Sequence, residues 1–317
     1  MHVTPFQPEV LPQAADLFVR NFKALRREMP LLPDTLEHPD EVLPRLMELF
    51  SACPGAFAFE ADRLVGYLGW YVIDQFRGTD RRAAYCPEWA HAAEPGMKPA
   101  VYRALYRAAS ARMAAAGCQA HAVTLLARDP VVETSWFWNG FGLAVVDALR
   151  PIEPPAPPAL NEFTLRKASP EDANRLAMLE IEHWQHYTEP PVFMAPQTPM
   201  DAAAFAALVS EPKNAVWLAL DAGQPAGFIR FEGGSFGAAD VVNDEGTVAI
   251  TGAFVRPAYR GRRAALALLC AALQDFSRQG YARCSVDFES FNPEAANFWM
   301  RYFEPVCLSV MRVPERI

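Results

Sequence analysis

The sequence predicts an α+β fold in two tandem domains, and three observations predict it. Hydrophobic residues recur with helix-like spacing in some segments and strand-like spacing in others, the two kinds interspersed along the chain. The order of these segments then starts again, at a spacing of about 160 residues, which means two duplicated domains rather than the short repeats of a solenoid. Between the copies lies Pro151-Ile152-Glu153-Pro154-Pro155-Ala156-Pro157-Pro158, too dense in proline for a helix or a central strand. The expected division is 1–149, a linker at 150–160, and 161–317. At 317 residues and 51% hydrophobic composition, the chain is long and apolar enough to bury two cores.

In the first copy, residues 1–8 read as a strand. Leu11, Ala14, Ala15, Phe18, Phe22 and Leu25 fall on one face of a helix reaching Met29. Pro39-Asp40 opens a second helix that stops before Pro54-Gly55. A hairpin over 56–73 turns at Ala61-Asp62-Arg63. One strand is expected through Ala84–Ala92, a helix over Pro99–Ala116 ended by Gly117, a strand over Ala120–Leu126, and a helix around Glu133–Trp138. In the second copy, Phe163-Thr164-Leu165 is a strand, and Ser169-Pro170-Glu171-Asp172 caps a helix running to about His186. Asp201–Val209 is a helix, and Val216–Leu220 enters a hairpin turning at Asp221-Ala222-Gly223. The copies correspond residue by residue: Gly66 answers Gly227, Gly117 answers Gly280, and Asp129-Pro130 answers Asn292-Pro293.

Composition narrows the function. A formal charge of −8 argues against a broad nucleic-acid-binding face and is compatible with a cationic or neutral small substrate. Six scattered cysteines without C-x-x-C spacing read as reduced, buried thiols. No leader is legible at the N-terminus and no window is apolar enough to cross a bilayer. The expectation is a cytoplasmic protein, a monomer or homodimer, with no membrane and no nucleic-acid partner.

The chemistry concentrates in 247–303. The apolar run Val248–Val255 is followed by Arg256-Pro257-Ala258-Tyr259-Arg260-Gly261-Arg262-Arg263, then by an Ala/Leu helix over Ala264–Arg278. A turn through glycine into a helix exposes unpaired N–H groups at the positive end of the helix dipole, a natural seat for phosphate. Arg260, Arg262 and Arg263 add cations that pair well with phosphate oxygens. Next come the strand Arg283–Phe288 and an Asn292-initiated helix ending near Trp299.

Arg260-Gly261-Arg262-Arg263-Ala264-Ala265 resembles the pyrophosphate-binding signature R/Q-x-x-G-x-G/A of the GCN5-related N-acetyltransferases (GNAT), and the flanking strands and Asn292 resemble that family's order. The resemblance covers each half in turn. It implies two GNAT-like domains, each a mixed, mostly antiparallel sheet flanked by helices. It also implies acyl transfer from acetyl-coenzyme A, as co-substrate and without metal, to an amine of a small molecule or peptide. By the same resemblance, the N–H groups of Arg260, Gly261, Arg262, Arg263, Ala264 and Ala265 hold the pyrophosphate. Phe254 and Val255 pair with the pantetheine arm and polarise the thioester, and Asn292 helps hold the cofactor. The chain departs from the pattern at three places: Arg263 stands for the central glycine, Trp299 for the usual tyrosine acid, and Thr251 for the strand-four glutamate. Tyr302 is the candidate acid in its place. Asp287 and Glu289, two apart on one strand face, are candidates for base or for binding a cationic substrate. Glu245, before the strand, is a further candidate base.

The first copy has Glu94-Pro95-Gly96-Met97-Lys98-Pro99 at the same place and is expected to bind coenzyme A poorly or not at all. His183 and His186 share a helix face but lack a third ligand at metal spacing, and fit better as substrate-lining groups. The aromatics at 136–138 and 298–299 read as core. A catalytically silent coenzyme A-binding protein of the same fold is the competing function. A doubly wound nucleotide-binding enzyme is disfavoured by the absence of its glycine motifs.

Overall fold

The computed structural model describes residues 1–158, 162–235 and 237–315; the expected linker ends, 159–160, and the second domain's 161 and 316–317 lie outside them. The elements run β1 (His2–Thr4), α1 (Leu11–Glu28), α2 (Pro39–Ala52), β2 (Gly55–Glu60), β3 (Arg63–Gly69), β4 (Tyr71–Ile73), β5 (Ala83–Cys86), β6 (His91–Ala93), α3 (Lys98–Ala115), β7 (Ala120–Leu126), α4 (Pro130–Phe137) and β8 (Gly142–Pro151). They continue with β9 (Thr164–Lys167), α5 (Ala173–Thr188), α6 (Ala202–Ser210), β10 (Ala215–Asp221), β11 (Gln224–Glu232), β12 (Thr247–Val255), α7 (Ala264–Arg278), β13 (Arg283–Glu289), α8 (Pro293–Trp299) and β14 (Glu304–Arg312).

The chain packs as two compact units: Met1–Asp147 with Ala239–Val242 and Pro305–Ile317, and Ala148–Ala238 with Asn243–Glu304. This division differs from the one expected from the repeat. The final strand belongs with the first unit, where Cys307–Arg312 of β14 pairs antiparallel with His121–Leu126 of β7. The proline-rich stretch also starts later than expected, because Arg150 and Pro151 end β8 and Arg150 is buried. A proline is tolerated at a strand's last residue, where no further ladder bond is asked of it.

In unit 1, β1-β2-β3-β6 form one sheet, and β4-β5-β7-β14 lie in order in another. The expected single strand over 84–92 is broken. β5 runs parallel to β7 as far as Cys86↔Val123, and β6 pairs with β3 from His91↔Leu68. Pro87, with no N–H, cannot continue the ladder across the break. Of the aromatics expected in the core, Trp136 is fully buried, but Phe137 and Trp138 are 67% and 76% exposed. Successive positions of a helix point about 100° apart, so of these three aromatics only Trp136 turns inward.

In unit 2 the sheet order is β13-β12-β11-β10-β9. Successive side chains of a strand face opposite ways. Phe228 and Phe254 therefore join Leu176 and Leu179 of α5 and Phe205 of α6, while Phe231 faces Phe276 of α7, with ring centroids 5.0 Å apart. The repeat is visible inside each unit. Each hairpin turns through an alanine at positive φ, 50° at Ala61 and 47° at Ala222. Asp129 and Asn292 each accept a backbone N–H at the start of their helix, from Val132 at 3.1 Å and from Ala295 at 3.2 Å.

The broken strand of unit 1 carries Glu88, which accepts the Val241 N–H at 3.0 Å. Burial, with the charge of Asp240 next, pushes its carboxyl up to about 7. The folded value lies above an unfolded one of roughly 4.3, so the fold loses stability as pH rises between the two. Glu88→Gln keeps the acceptor for Val241 without the charge. It is expected to raise stability at pH 8 by on the order of 2–3 kcal/mol and to change nothing at pH 4, as read from urea unfolding at the two pH values.

Candidate active site

The site is built where two strands part. β12 and β13 run parallel from Thr247↔Arg283 to Ile250↔Val286, and there the pairing stops although both strands continue. Residues 251–255 and 287–289 thus face each other across an open wedge. On its other edge β12 stays paired with β11, from Gly252↔Arg230 to Val255↔Gly227. The register skips Thr251, since Phe231 pairs with Ile250 and Arg230 with Gly252. Thr251 is a β-bulge, which bends the strand and redirects its groups at the mouth of the wedge.

The backbone beyond the bulge has usable polarity. Arg256 N–H donates to Ala226 O at 2.9 Å on the β11 side. Backbone direction alternates along a strand, so Phe254 turns to β11 while Ala253 and Val255 offer their N–H and C=O to the wedge. Consistent with this, the Val255 carbonyl accepts Arg260 Nε at 3.2 Å. The Phe254 side chain is buried against the His183 ring, with centroids 5.6 Å apart. Gly227 permits this close stacking of strands: a Cβ there would sit 2.4 Å from Phe254 O and 3.0 Å from Val255 Cα.

The chain then turns into α7 through Gly261 at φ 78° and Arg263 at φ 64°, and no side chain caps the helix. Its first N–H groups are left for a ligand. The three arginines differ. Arg262 is engaged with Glu162 at 2.8 Å and Asp221 at 3.1 Å and lies over the Phe163 and Tyr259 rings. Arg260 pairs with Glu294 at 3.2 Å. Arg263 is exposed and has no ion-pair partner among the described residues. Ala264 is buried and Ala265 half-buried. Asn292 is buried with its Oδ1 occupied by the helix cap, so its amide NH₂ group is the part left to a ligand.

Across the wedge, Asp287 Oδ1 accepts the Ser235 hydroxyl at 3.3 Å, and burial raises its carboxyl above the usual range. The end of α5 brings in Tyr187, a residue the sequence did not single out. Its hydroxyl is pushed up by burial first and then by the charges of Glu289, Asp287 and Glu180. Tyr302, by contrast, follows the end of α8 and packs its ring 5.1 Å from Phe298. Trp299 is buried against Phe298 and Phe303.

A polar chain runs from α5 to the bulge. Glu180 is buried, and its carboxylate accepts His183 Nδ1 and Trp184 Nε1, both at 3.2 Å, with Arg230 at 3.6 Å. Burial alone would raise its pKa, but the hydrogen bonds and the charges of His183 and Arg230 outweigh it and hold the carboxyl below its ordinary value. Arg230 Nε donates to Thr251 Oγ1 at 3.0 Å, and Thr251 Oγ1 donates to Glu232 Oε1 at 2.5 Å. Sequence spacing could not find Glu232, because it reaches Thr251 only across the β11–β12 ladder. The second histidine of the pair, His186, lies 4.0 Å from Glu294. Among the described residues no group of three or more His, Cys, Asp or Glu could hold a metal.

The equivalent turn of unit 1 is filled by its own side chains. Lys98 ion-pairs with Asp129, the residue that caps α4, and Glu94 pairs with Arg20 at 3.3 Å and Arg63 at 3.5 Å. Pro99 removes an N–H from the first turn of α3.

Residues 177–303 match the model of the acetyltransferase (GNAT) family. Unit 2 carries a GNAT-family domain. Among solved structures, a GCN5-related N-acetyltransferase from Sphaerobacter thermophilus is similar with a TM-score of 0.61 at 16% identity, over 100% of this chain and 96% of its own. A tandem GNAT protein from the clavulanic acid biosynthesis pathway is similar with a TM-score of 0.51 at 15% identity, over 98% of each chain. A GCN5-related glucosamine N-acetyltransferase region of a fungal β-N-acetylglucosaminidase is similar at 0.56 and 11%, over 98% of this chain and 38% of its own. No curated protein matches by sequence. At these identities the structures show a shared fold, a tandem GNAT architecture over the whole chain. The GNAT fold supports acyl transfer from acyl-coenzyme A to an amine at the level of the family. Among the described residues no helix is long and apolar enough to cross a membrane.

Proposed function

We propose that this chain is an N-acyltransferase that moves an acetyl (acyl) group from acetyl-coenzyme A to an amine of a small molecule or peptide, with its site in unit 2. The observation that carries this is the end of β12–β13 pairing at Ile250↔Val286, next to an uncapped helix start reached through Gly261. The wedge admits an extended ligand that completes the edge of β12, as β-augmentation does. The N–H groups of 261–265 and the Arg263 side chain take the pyrophosphate, and the N–H of Val255 and Ala253 meet the pantetheine and the thioester carbonyl. Arg260 and Arg262 position the turn through Glu294 and Glu162 more than they contact phosphate. The Asn292 NH₂ group faces the same ligand. Asp287 and Glu289 hold and orient a cationic acceptor beside Tyr187, and Tyr302 stands behind α8 as a late proton source. Unit 1, its turn filled by Lys98 and Asp129, binds no coenzyme A.

The competing reading is a silent coenzyme A-binding protein, favoured by one observation: Trp299 packs into the core where a hydroxyl would serve as acid. Calorimetry with acetyl-coenzyme A, followed by thiol release over a panel of amines, aminoglycosides and peptides, tests both. One coenzyme A per chain with thiol release is expected. Binding without release supports the silent reading, and no binding removes both.

A further inference from the structure

We infer that Thr251 and Glu232 form the proton outlet of the transfer reaction, with the Thr251 hydroxyl taking the acceptor's proton while its own passes to Glu232. The inference rests on the acyl-transfer reading of unit 2. Its ground is the geometry of the bulge. Thr251 is the first residue beyond the last parallel pair, so the residue stands at the mouth of the wedge. It is the bulged residue, set off from the ladder that its neighbours obey. Its Oγ1 already donates to Glu232 Oε1 at 2.5 Å, and the oxygen's own lone pairs are approached by Arg230 Nε at 3.0 Å. The hydroxyl is therefore oriented: its proton points at a carboxylate, and the oxygen accepts from donors. Both residues are half-buried, with the Glu232 side chain 34% exposed, so the carboxylate can release a proton to water.

The step balances. A neutral amine nitrogen bonds to the acyl carbon as the carbon–sulfur bond breaks and its electron pair leaves on sulfur. The surplus nitrogen proton passes to Thr251 Oγ1, the Thr251 proton passes to Glu232 Oε1, and Glu232 gives it to solvent. The thiolate takes one proton from Tyr302, which regains it from solvent. Arg230 holds the relay from its own strand, through Nε to the hydroxyl and Nη2 to the Thr251 carbonyl at 2.5 Å. It also pairs directly with Glu232, Nε to Oε1 at 3.5 Å, and its remaining contacts are Glu180 and Met200. The charged and titratable groups that face this relay are Arg230 on β11, Glu180, His183 and Tyr187 from α5, and Asp287 and Glu289 from β13. Asp287 and Glu289 line the wedge itself, whereas Glu232 reaches it through a hydroxyl that is already bonded to its carboxylate.

The test uses the full-length protein with an amine found by thiol release. Glu232→Gln is expected to lower kcat at pH 7 about 100-fold, the lower end of what general-base catalysis contributes, with coenzyme A affinity and Tm unchanged. Its rate then climbs about tenfold per pH unit to pH 9, where hydroxide replaces the missing base, while the natural chain has reached a plateau. Thr251→Val loses the same factor, and the double variant loses no more than either alone, because one relay has been cut twice. Thr251→Ser restores most of the Thr251→Val loss. An unchanged kcat and pH profile in Glu232→Gln overturns the relay and leaves acyl transfer standing. A loss accompanied by weaker coenzyme A binding and a lower Tm shows a structural role and also overturns it. Absence of thiol release from every amine by the natural chain overturns the acyl-transfer reading itself, and the relay with it.

Discussion

Gly261→Asp is expected to weaken coenzyme A binding at least 100-fold, on the order of 3 kcal/mol, as measured by calorimetry on the full-length protein. Gly261 sits at φ 78° in the turn that feeds the first N–H groups of α7. A Cβ there meets nothing within 4 Å, so the substitution is not a steric insult to the fold. Two effects act on the ligand instead. The backbone must be held in a left-handed conformation by a residue that prefers others, at a cost of roughly 1 kcal/mol. A carboxylate is also placed against the pyrophosphate, opposing the helix dipole and Arg263. Gly261→Asn carries the same backbone strain without the charge and is expected to weaken binding only about tenfold. Unchanged affinity in Gly261→Asp would remove the turn from the cofactor site.

Gly227→Ala is expected to destabilise unit 2 by about 3 kcal/mol, seen as a lower urea midpoint, and to abolish coenzyme A binding in the protein that stays folded. The added methyl would lie 2.4 Å from the Phe254 carbonyl oxygen, a backbone atom that cannot rotate away. β11 and β12 must therefore separate at the point where Val255 presents its N–H to the wedge. The repeat supplies an internal control. At Gly66, the equivalent position, a Cβ would first meet Val101 Cγ1 at 2.3 Å, a side-chain atom that can swing, and Ala92 O only at 2.9 Å. Gly66→Ala is expected to cost less than Gly227→Ala. Equal costs would show that the Phe254 contact is not what decides.

Some of this site was legible in the sequence because its demands fall on single residues. A turn at positive φ and a close strand approach both select glycine, so Gly261, Gly227 and Gly66 stand out in a linear reading. A buried helix start selects Asp or Asn, so Asp129 and Asn292 do too. Periodicity marked the long helices, and their duplication marked the two copies. The break in one strand of the first copy was less legible. The first copy was expected to hold one strand over 84–92, yet pairing stops at Cys86 and resumes at His91. Apolar residues on both sides hid the break, and only Pro87 signalled it.

Other features had no local signature. Tyr187 meets the charges of Asp287 and Glu289 although about 100 residues separate them, and Thr251 meets Glu232 across a ladder whose register is set by the bulge. Arg262 looked like a phosphate ligand by its place in the cluster, but Glu162 and Asp221 claim it. The last strand lies in the stretch 161–317 expected to form the second domain, but pairs with β7 of the first unit. Strand pairing is decided by hydrogen-bond partners anywhere in the chain, and one strand's sequence says only that it needs an edge.

By itself, then, the sequence determined the duplicated α+β architecture, the glycine turn into α7 and the capped start of α8, since each is imposed by backbone geometry within a few residues. Only the tertiary structure decided where β12 and β13 part, which unit receives β14, and which carboxylates stand at the wedge. Those depend on registers between distant strands, and a register is a property of the pair rather than of either segment.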